Sequence, residues 1–166
     1  MTIPGVTITT IERFEDSRGY FSEIARTADI PLPMKQSSHS HSKCGVLRGL
    51  HFHRAQSDLW YLANGRAQIA LVDLRERISH PAVQTWIADS SRPTTVFIPP
   101  GVAHGYLALA DIDMIYWTTH EYDPSDEQAV AWDDPTLAIP WEIDEPILSE
   151  RDRHNPVLTW QDIPKF

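Results

Sequence analysis

The chain has 166 residues, 42% of them hydrophobic and 22% charged, close to ordinary globular usage, which indicates neither a disordered chain nor a membrane class. Fourteen Lys and Arg against 23 Asp and Glu leave a formal charge of −9, which opposes general binding to nucleic acid or to an anionic membrane. One cysteine, Cys44, excludes an internal disulfide and a thiolate-rich zinc centre and suits packing in the core or a loop.

The length fits a single domain over residues 1–166, large enough to bury a real core. No apolar run is long enough to span a bilayer. The N-terminal "MTIPGVTITTIERF" lacks the basic, apolar and small-residue succession of a secretory leader, so the expected compartment is the cytoplasm.

Thirteen prolines and seven glycines punctuate short β-rich segments, and no long stretch has helical periodicity. In chain order, "VTITTIERF" alternates and reads as a strand. "CGVLRGLHFH" reads as a second. "LWYLANGRAQIALVDLR" reads as a hairpin, with Asn64-Gly65 supplying the positive φ angles of a type I′ turn. "TTVFIPPGVAHGYLAL" gives a strand, a Pro-Pro-Gly turn and a further strand opening at His104, and "DMIYWTTHEY" gives one more. Beyond Tyr122 the chain is rich in Pro, Asp and Glu and reads as an irregular C-terminal wrap. The class is all-β, a sandwich or barrel.

Six of the eight histidines, His39, His41, His51, His53, His104 and His120, fall within or beside strand candidates or in the loop before one. Along "LRGLHFH", alternation puts Leu47, Gly49, His51 and His53 on one face and Arg48 on the other, and a bulge at Gly49 would swing Arg48 to the histidine side. Three readings remain open for His51, His53 and His104. They are metal ligands, with Asp58 as the added carboxylate; they are structural; or one is a general base beside arginines that hold an anionic substrate.

Seven segments in order, "DSRGYFSE", "QSSHSHSKCGVLRGLHF", "VDLR", "IPPGVAHGYLAL", "YWTTHEYDPSDE", "WDDPTLAIPW" and "LSERD", resemble the dTDP-4-dehydrorhamnose 3,5-epimerase family of nucleotide-sugar enzymes. The resemblance runs from about Asp16 to Asp152. It implies a cupin-type jelly-roll β-barrel, a homodimer, a nucleotide-diphosphate sugar as substrate, and epimerisation beside the C4 ketone of a 4-keto-6-deoxyhexose with neither a metal nor any other cofactor. A base removes the acidified hydrogen on C3 or C5, an enolate forms, and an acid on the opposite face returns the proton.

By the same resemblance, His51 is the base, Asp152 the carboxylate that fixes its tautomer and favours its protonated form, and Tyr116 the opposed acid. His104 matches a second pocket histidine. Arg18, Arg48 and Arg151 match arginines that face the ligand, and their guanidinium forks suit diphosphate oxygens. Glu23, Gln36 and Glu127 match polar positions around nucleotide and sugar, while Tyr20 or Tyr122 stacks on the base.

The chain departs from the family pattern at the sugar end. The family's "Q-x-K" reads Gln56-Ser57-Asp58, so a cation that would stabilise the enolate has become an anion. His53 stands where glutamine is usual, Ser38 where asparagine is, and Ile69 where aspartate is common, while the segment from His51 to Asn64-Gly65 is about three residues short. The expectation is the same chemistry on an altered sugar, or at one carbon only. The alternatives are a 3,4-ketoisomerase, which carries an H-x-H on the same barrel, a sugar-nucleotide binding protein without turnover, and a metal-dependent cupin.

Overall fold

The computed structural model describes residues 2–76, 78 and 80–166. Two five-stranded antiparallel sheets face each other. The first has the order β1 (Thr7–Thr10), β9 (Thr94–Ile98), β6 (Asp58–Asn64), β11 (Ile112–Thr118), β4 (Gln36–Ser42). The second has the order β12 (Glu127–Ala129), β5 (Leu47–His53), β10 (Val102–Ala108), β7 (Arg66–Asp73), β8 (Val83–Asp89). A separate hairpin pairs β2 (Phe14–Asp16) with β3 (Gly19–Phe21), and the only helix among the described residues is the one-turn α1 (Glu150–Arg153). The strand order, with chain-adjacent strands from β4 to β12 placed in opposite sheets except for the β7–β8 pair, is that of a cupin-type jelly roll.

The interior between the sheets is filled from both sides, by Trp60 and Leu62 of β6, Ile69 and Leu71 of β7, and Ile112 and Met114 of β11. A second apolar layer lies on the outer face of the second sheet. There Leu50, Phe52, Ala70 and Val72 meet Val130, Leu137 and Ile163 of the C-terminal wrap. This wrap explains why β7 and β10 are buried at nearly every position. Both of their faces are covered, and alternation disappears when neither face meets water.

The Asn64-Gly65 hairpin is corrected by the structure. β6 pairs with β9 and β11, and β7 with β8 and β10, so the turn is a corner that carries the chain from one sheet to the other. Of the turn's two residues only Gly65 has a positive φ, +85°, whereas a type I′ turn needs both. The two apolar runs bury their side chains in one interior by facing each other across it, and edge-to-edge pairing is not needed to bring them together. "VTITTIERF" is likewise two elements, β1 and the start of β2. The C-terminal segment is irregular except for β12 and α1. Cys44 is exposed in a turn, where its amide donates to Asp111.

Candidate active site

A cavity of about 210 Å³ opens between the two sheets, against roughly 10–15 Å³ needed to hold one water. One wall is the second sheet, with Arg48, His51 and His53 on β5 and His104 on β10. The facing wall is the first sheet, with Asp58 and Trp60 on β6 and Tyr116 on β11. Gln36, Tyr122 and Glu127 line it as well.

The geometry of β5 depends on Gly49. Its φ is +131°, and a Cβ built there would stand 2.7 Å from the Gly105 Cα and 2.9 Å from the His104 carbonyl oxygen. Only glycine fits such a conformation and approach. Across β10, His51 faces His104 and Arg48 faces Tyr106, so β5 carries one extra residue in this interval. The bulge breaks strict alternation and sends Arg48 to the side of His51 and His53, while Leu47 is fully buried elsewhere. Arg48 is held by the Ser42 hydroxyl at 2.9 Å and the His41 carbonyl at 3.2 Å.

His51 Nε2 lies 2.7 Å from Asp152 Oδ1. Asp152 sits in α1, whose N-cap Ser149 accepts from the Asp152 amide and donates to Oδ2, each at 3.0 Å, and Asn155 donates to Oδ1 at 3.4 Å. Burial works to raise the Asp152 pKa, but the bonds from His51, Ser149 and Asn155 outweigh it and hold the carboxyl below its usual value. With Nε2–H committed to this carboxylate, His51 keeps its Nδ1 lone pair, 3.6 Å from Glu127 Oε1. Glu127 is itself bound by Arg151 at 2.7 Å. On the opposite wall, burial pushes the Tyr116 phenol above its ordinary pKa and keeps it protonated, an effect the Ser38 hydroxyl tempers.

The sugar-end departures lie deep in the cavity. His53, Asp58 and His104 are all buried, at 8%, 4% and 5% exposure. Asp58 accepts from Gln56 Nε2 at 2.8 Å and from Trp60 Nε1 at 3.2 Å. His104 Nδ1 donates to the Val102 carbonyl at 3.0 Å, and burial lowers the ring's pKa to about 4. Burial, reinforced by His104, also lowers His53, and burial raises Asp58 against the opposing pull of His53, Gln56 and Trp60.

The structure therefore brings together Gln36, Arg48, His51, His53, Asp58, His104, Tyr116, Tyr122 and Glu127, with Asp152 and Arg151 bonded to members of that set. Ser38 lies beside it and accepts from Gln36 at 3.1 Å. Arg18, Tyr20 and Glu23 do not line this cavity. Arg18 pairs with Asp16, Tyr20 lies under the Arg13 guanidinium, and Glu23 pairs with Arg26. Ser40, Gln56, Trp60, Tyr106, Met114 and Thr118 also line the cavity and are not among the sequence-derived site residues. Five of the six could have been found by stepping two residues along a strand, from Ser38 to Ser40, from Asp58 to Trp60, from His104 to Tyr106 and from Tyr116 to Met114 and Thr118.

The sequence profile of the family described as dTDP-4-dehydrorhamnose 3,5-epimerase matches residues 1–159. The chain is 37% identical to the Bacillus subtilis spore coat polysaccharide biosynthesis protein SpsL over 145 residues, covering 84% of this chain and 96% of the relative. It is 34% identical to the Pseudomonas aeruginosa dTDP-4-dehydrorhamnose 3,5-epimerase over 166 residues, covering 92% and 91%. A crystal structure of the dTDP-6-deoxy-D-glucose-3,5-epimerase RmlC of Legionella pneumophila, in complex with dTDP-4-keto-L-rhamnose, superposes with a TM-score of 0.89 at 27% identity, over 100% of this chain and 96% of that one. With a bonded His-Asp pair and a tyrosine on opposite walls of one jelly-roll cavity, this chain belongs to the dTDP-4-dehydrorhamnose 3,5-epimerase family of isomerases.

Proposed function

We propose that the chain epimerises a nucleotide-diphosphate-linked 4-keto-6-deoxyhexose, with His51 as base, Asp152 as its orienting partner and Tyr116 as the acid on the opposite face. The 2.7 Å bond between His51 Nε2 and Asp152 carries this reading. It fixes the tautomer, leaves Nδ1 free to accept a proton, and provides a buried anion for the imidazolium that results. The C4 ketone acidifies C3–H and C5–H. His51 takes one of these protons, the electron pair moves into the enolate, and the Tyr116 hydroxyl delivers a proton to the same carbon from the other side. Arg48 and Arg151 suit the diphosphate, and Tyr122, exposed at the mouth of the cavity, suits stacking on the base.

The rebuilt sugar end, with Asp58 and His53 in place of lysine and glutamine, favours an altered sugar or action at a single carbon. The active unit we propose is a cytoplasmic homodimer. The exposed single cysteine suits a reducing compartment, and among the described residues no helix is long and apolar enough to cross a membrane. The test is proton exchange at C3 and C5 in deuterated water with dTDP-linked 4-keto-6-deoxyhexoses. Wild type should wash deuterium into at least one position, and His51→Asn should not, while still binding dTDP. Exchange by His51→Asn at the wild-type rate would overturn the assignment.

A further inference from the structure

His53, Asp58 and His104 have no part in the proton transfers just described, yet they are the most deeply buried polar cluster of the cavity wall. One nitrogen or oxygen atom from each lies within 4.8 Å of the others. Among the described residues, no lysine or arginine pairs with the Asp58 carboxylate. Its only ion-pair partner among the described residues is His104 Nε2, at 3.7 Å. A buried charge in that position is costly without a cation.

The lone pairs converge. His104 gives its Nδ1–H to the Val102 carbonyl, so Nε2 presents a lone pair toward Asp58. His53 Nδ1 lies 3.7 Å from Asp126 Oδ2 and makes no hydrogen bond among the described residues, while Nε2 lies 3.1 Å from the Gln56 amide nitrogen. That amide also donates to Asp58 Oδ1, so its hydrogens stand between two acceptors, where a cation would stand. His104 thus gives one nitrogen to a backbone oxygen and turns the other inward, the arrangement by which proteins fix metal-ligating imidazoles, while His53 has the Asp126 carboxylate 3.7 Å beyond its outer nitrogen. Two imidazoles and a carboxylate select a transition-metal dication over calcium or magnesium, and three protein ligands leave positions open to the cavity.

We propose that His53, Asp58 and His104 form a binding site for one divalent transition-metal ion. The site lies where the family pattern carries its lysine, so the ion restores positive charge at the sugar end. That role, stabilising the enolate oxygen on C4, rests on the epimerase reading; the binding site does not. His51 stays outside the ligand set because its Nε2 is held by Asp152.

The test uses the full chain, stripped with a chelator and titrated with Co²⁺. Wild type should bind one equivalent, with visible ligand-field absorption. Asp58→Asn and His53→Gln should each weaken binding by about 100-fold or more. A His39→Asn, His41→Asn double variant removes the exposed histidine pair on Asp113 and should bind as wild type does. Circular dichroism and dTDP binding of each variant report folding. X-ray absorption on the Zn²⁺-loaded wild type needs no variant and should show two imidazoles with oxygen donors. No stoichiometric Co²⁺ binding, undiminished binding by Asp58→Asn, or loss in the surface double variant would overturn the site. Because none of these readouts requires turnover, a metal-loaded protein that exchanges no substrate proton would sink the epimerase reading alone.

Discussion

At the level of single residues, the value of His51 as a base depends on which nitrogen is free, and Asp152 decides that. An amide at position 152 could accept or donate and would no longer select Nε2–H, nor compensate an imidazolium. Asp152→Asn should therefore lower kcat by roughly 10²–10⁴-fold with KM nearly unchanged. Steady-state kinetics will show this, and an equal rise in KM would instead make Asp152 a binding residue. Buried His104 makes a prediction about pH. Its pKa falls from 6.5 unfolded to about 4 folded, so between those values the unfolded chain binds more protons. Stability is retained above about pH 6.5 and lost as pH falls toward 4. The whole window is worth about 3 kcal/mol as an order of magnitude. His53, also lowered, acts with the same sign, whereas Asp58, raised, opposes it. Urea titrations at pH 7 and pH 5 should show a smaller loss in His104→Gln than in wild type.

Among the elements, β5 and the C-terminal wrap show what could and could not be read from the residues. The H-x-H, the glycine and the arginine of "LRGLHFH" pointed to a pocket-lining strand with a bulge, because each residue there is costly unless it serves a site. Gly49→Ala tests the bulge. A methyl group 2.7 Å from the Gly105 backbone, on a φ of +131°, should cost about 2–4 kcal/mol and lower activity further by moving Arg48 relative to His51. Chemical denaturation checks the first and kinetics the second. β4 was not legible. "QSSHSHS" places Gln36, Ser38, Ser40 and Ser42 inward and Ser37, His39 and His41 outward, so both faces are polar and hydropathy carries no alternation. The corner at Asn64-Gly65 misled for a related reason, since local sequence marks a turn but not which sheet receives the next strand. The wrap was legible as irregular, but its task was not, because the faces it covers on β5 and β7 lie far away in sequence. Leu137→Ala, which opens that second apolar layer, should cost about 2–5 kcal/mol by denaturant titration.

In the molecule as a whole, one part does not satisfy itself. The β2–β3 hairpin pairs with neither large sheet, and Phe14, Tyr20 and Phe21 on it are 51%, 52% and 64% exposed. An isolated two-stranded hairpin is marginal in water without a surface to cover it. β1 is an edge strand whose four residues are all exposed, with Ile8 at 42%. The same segment carries Arg18, Tyr20 and Glu23, matched by resemblance to ligand-facing positions but absent from the cavity wall of their own chain. A second copy resolves both facts if each hairpin packs on the partner and lends these residues to the partner's cavity. Complementation tests this directly. Arg18→Ala and His51→Asn chains should each be nearly inactive alone. In a mixed dimer with exchange in trans, one cavity has both lesions and the other has neither, so mixing and refolding the two variants should restore turnover. If Arg18 served its own chain, every cavity of the mixed dimer would carry one lesion and activity would stay at the level of the variants. On the same arrangement, Phe21→Asp in an otherwise unchanged chain should shift it toward monomer in sedimentation equilibrium and lower activity in proportion, since a cavity without its neighbour's hairpin would lack part of its nucleotide end.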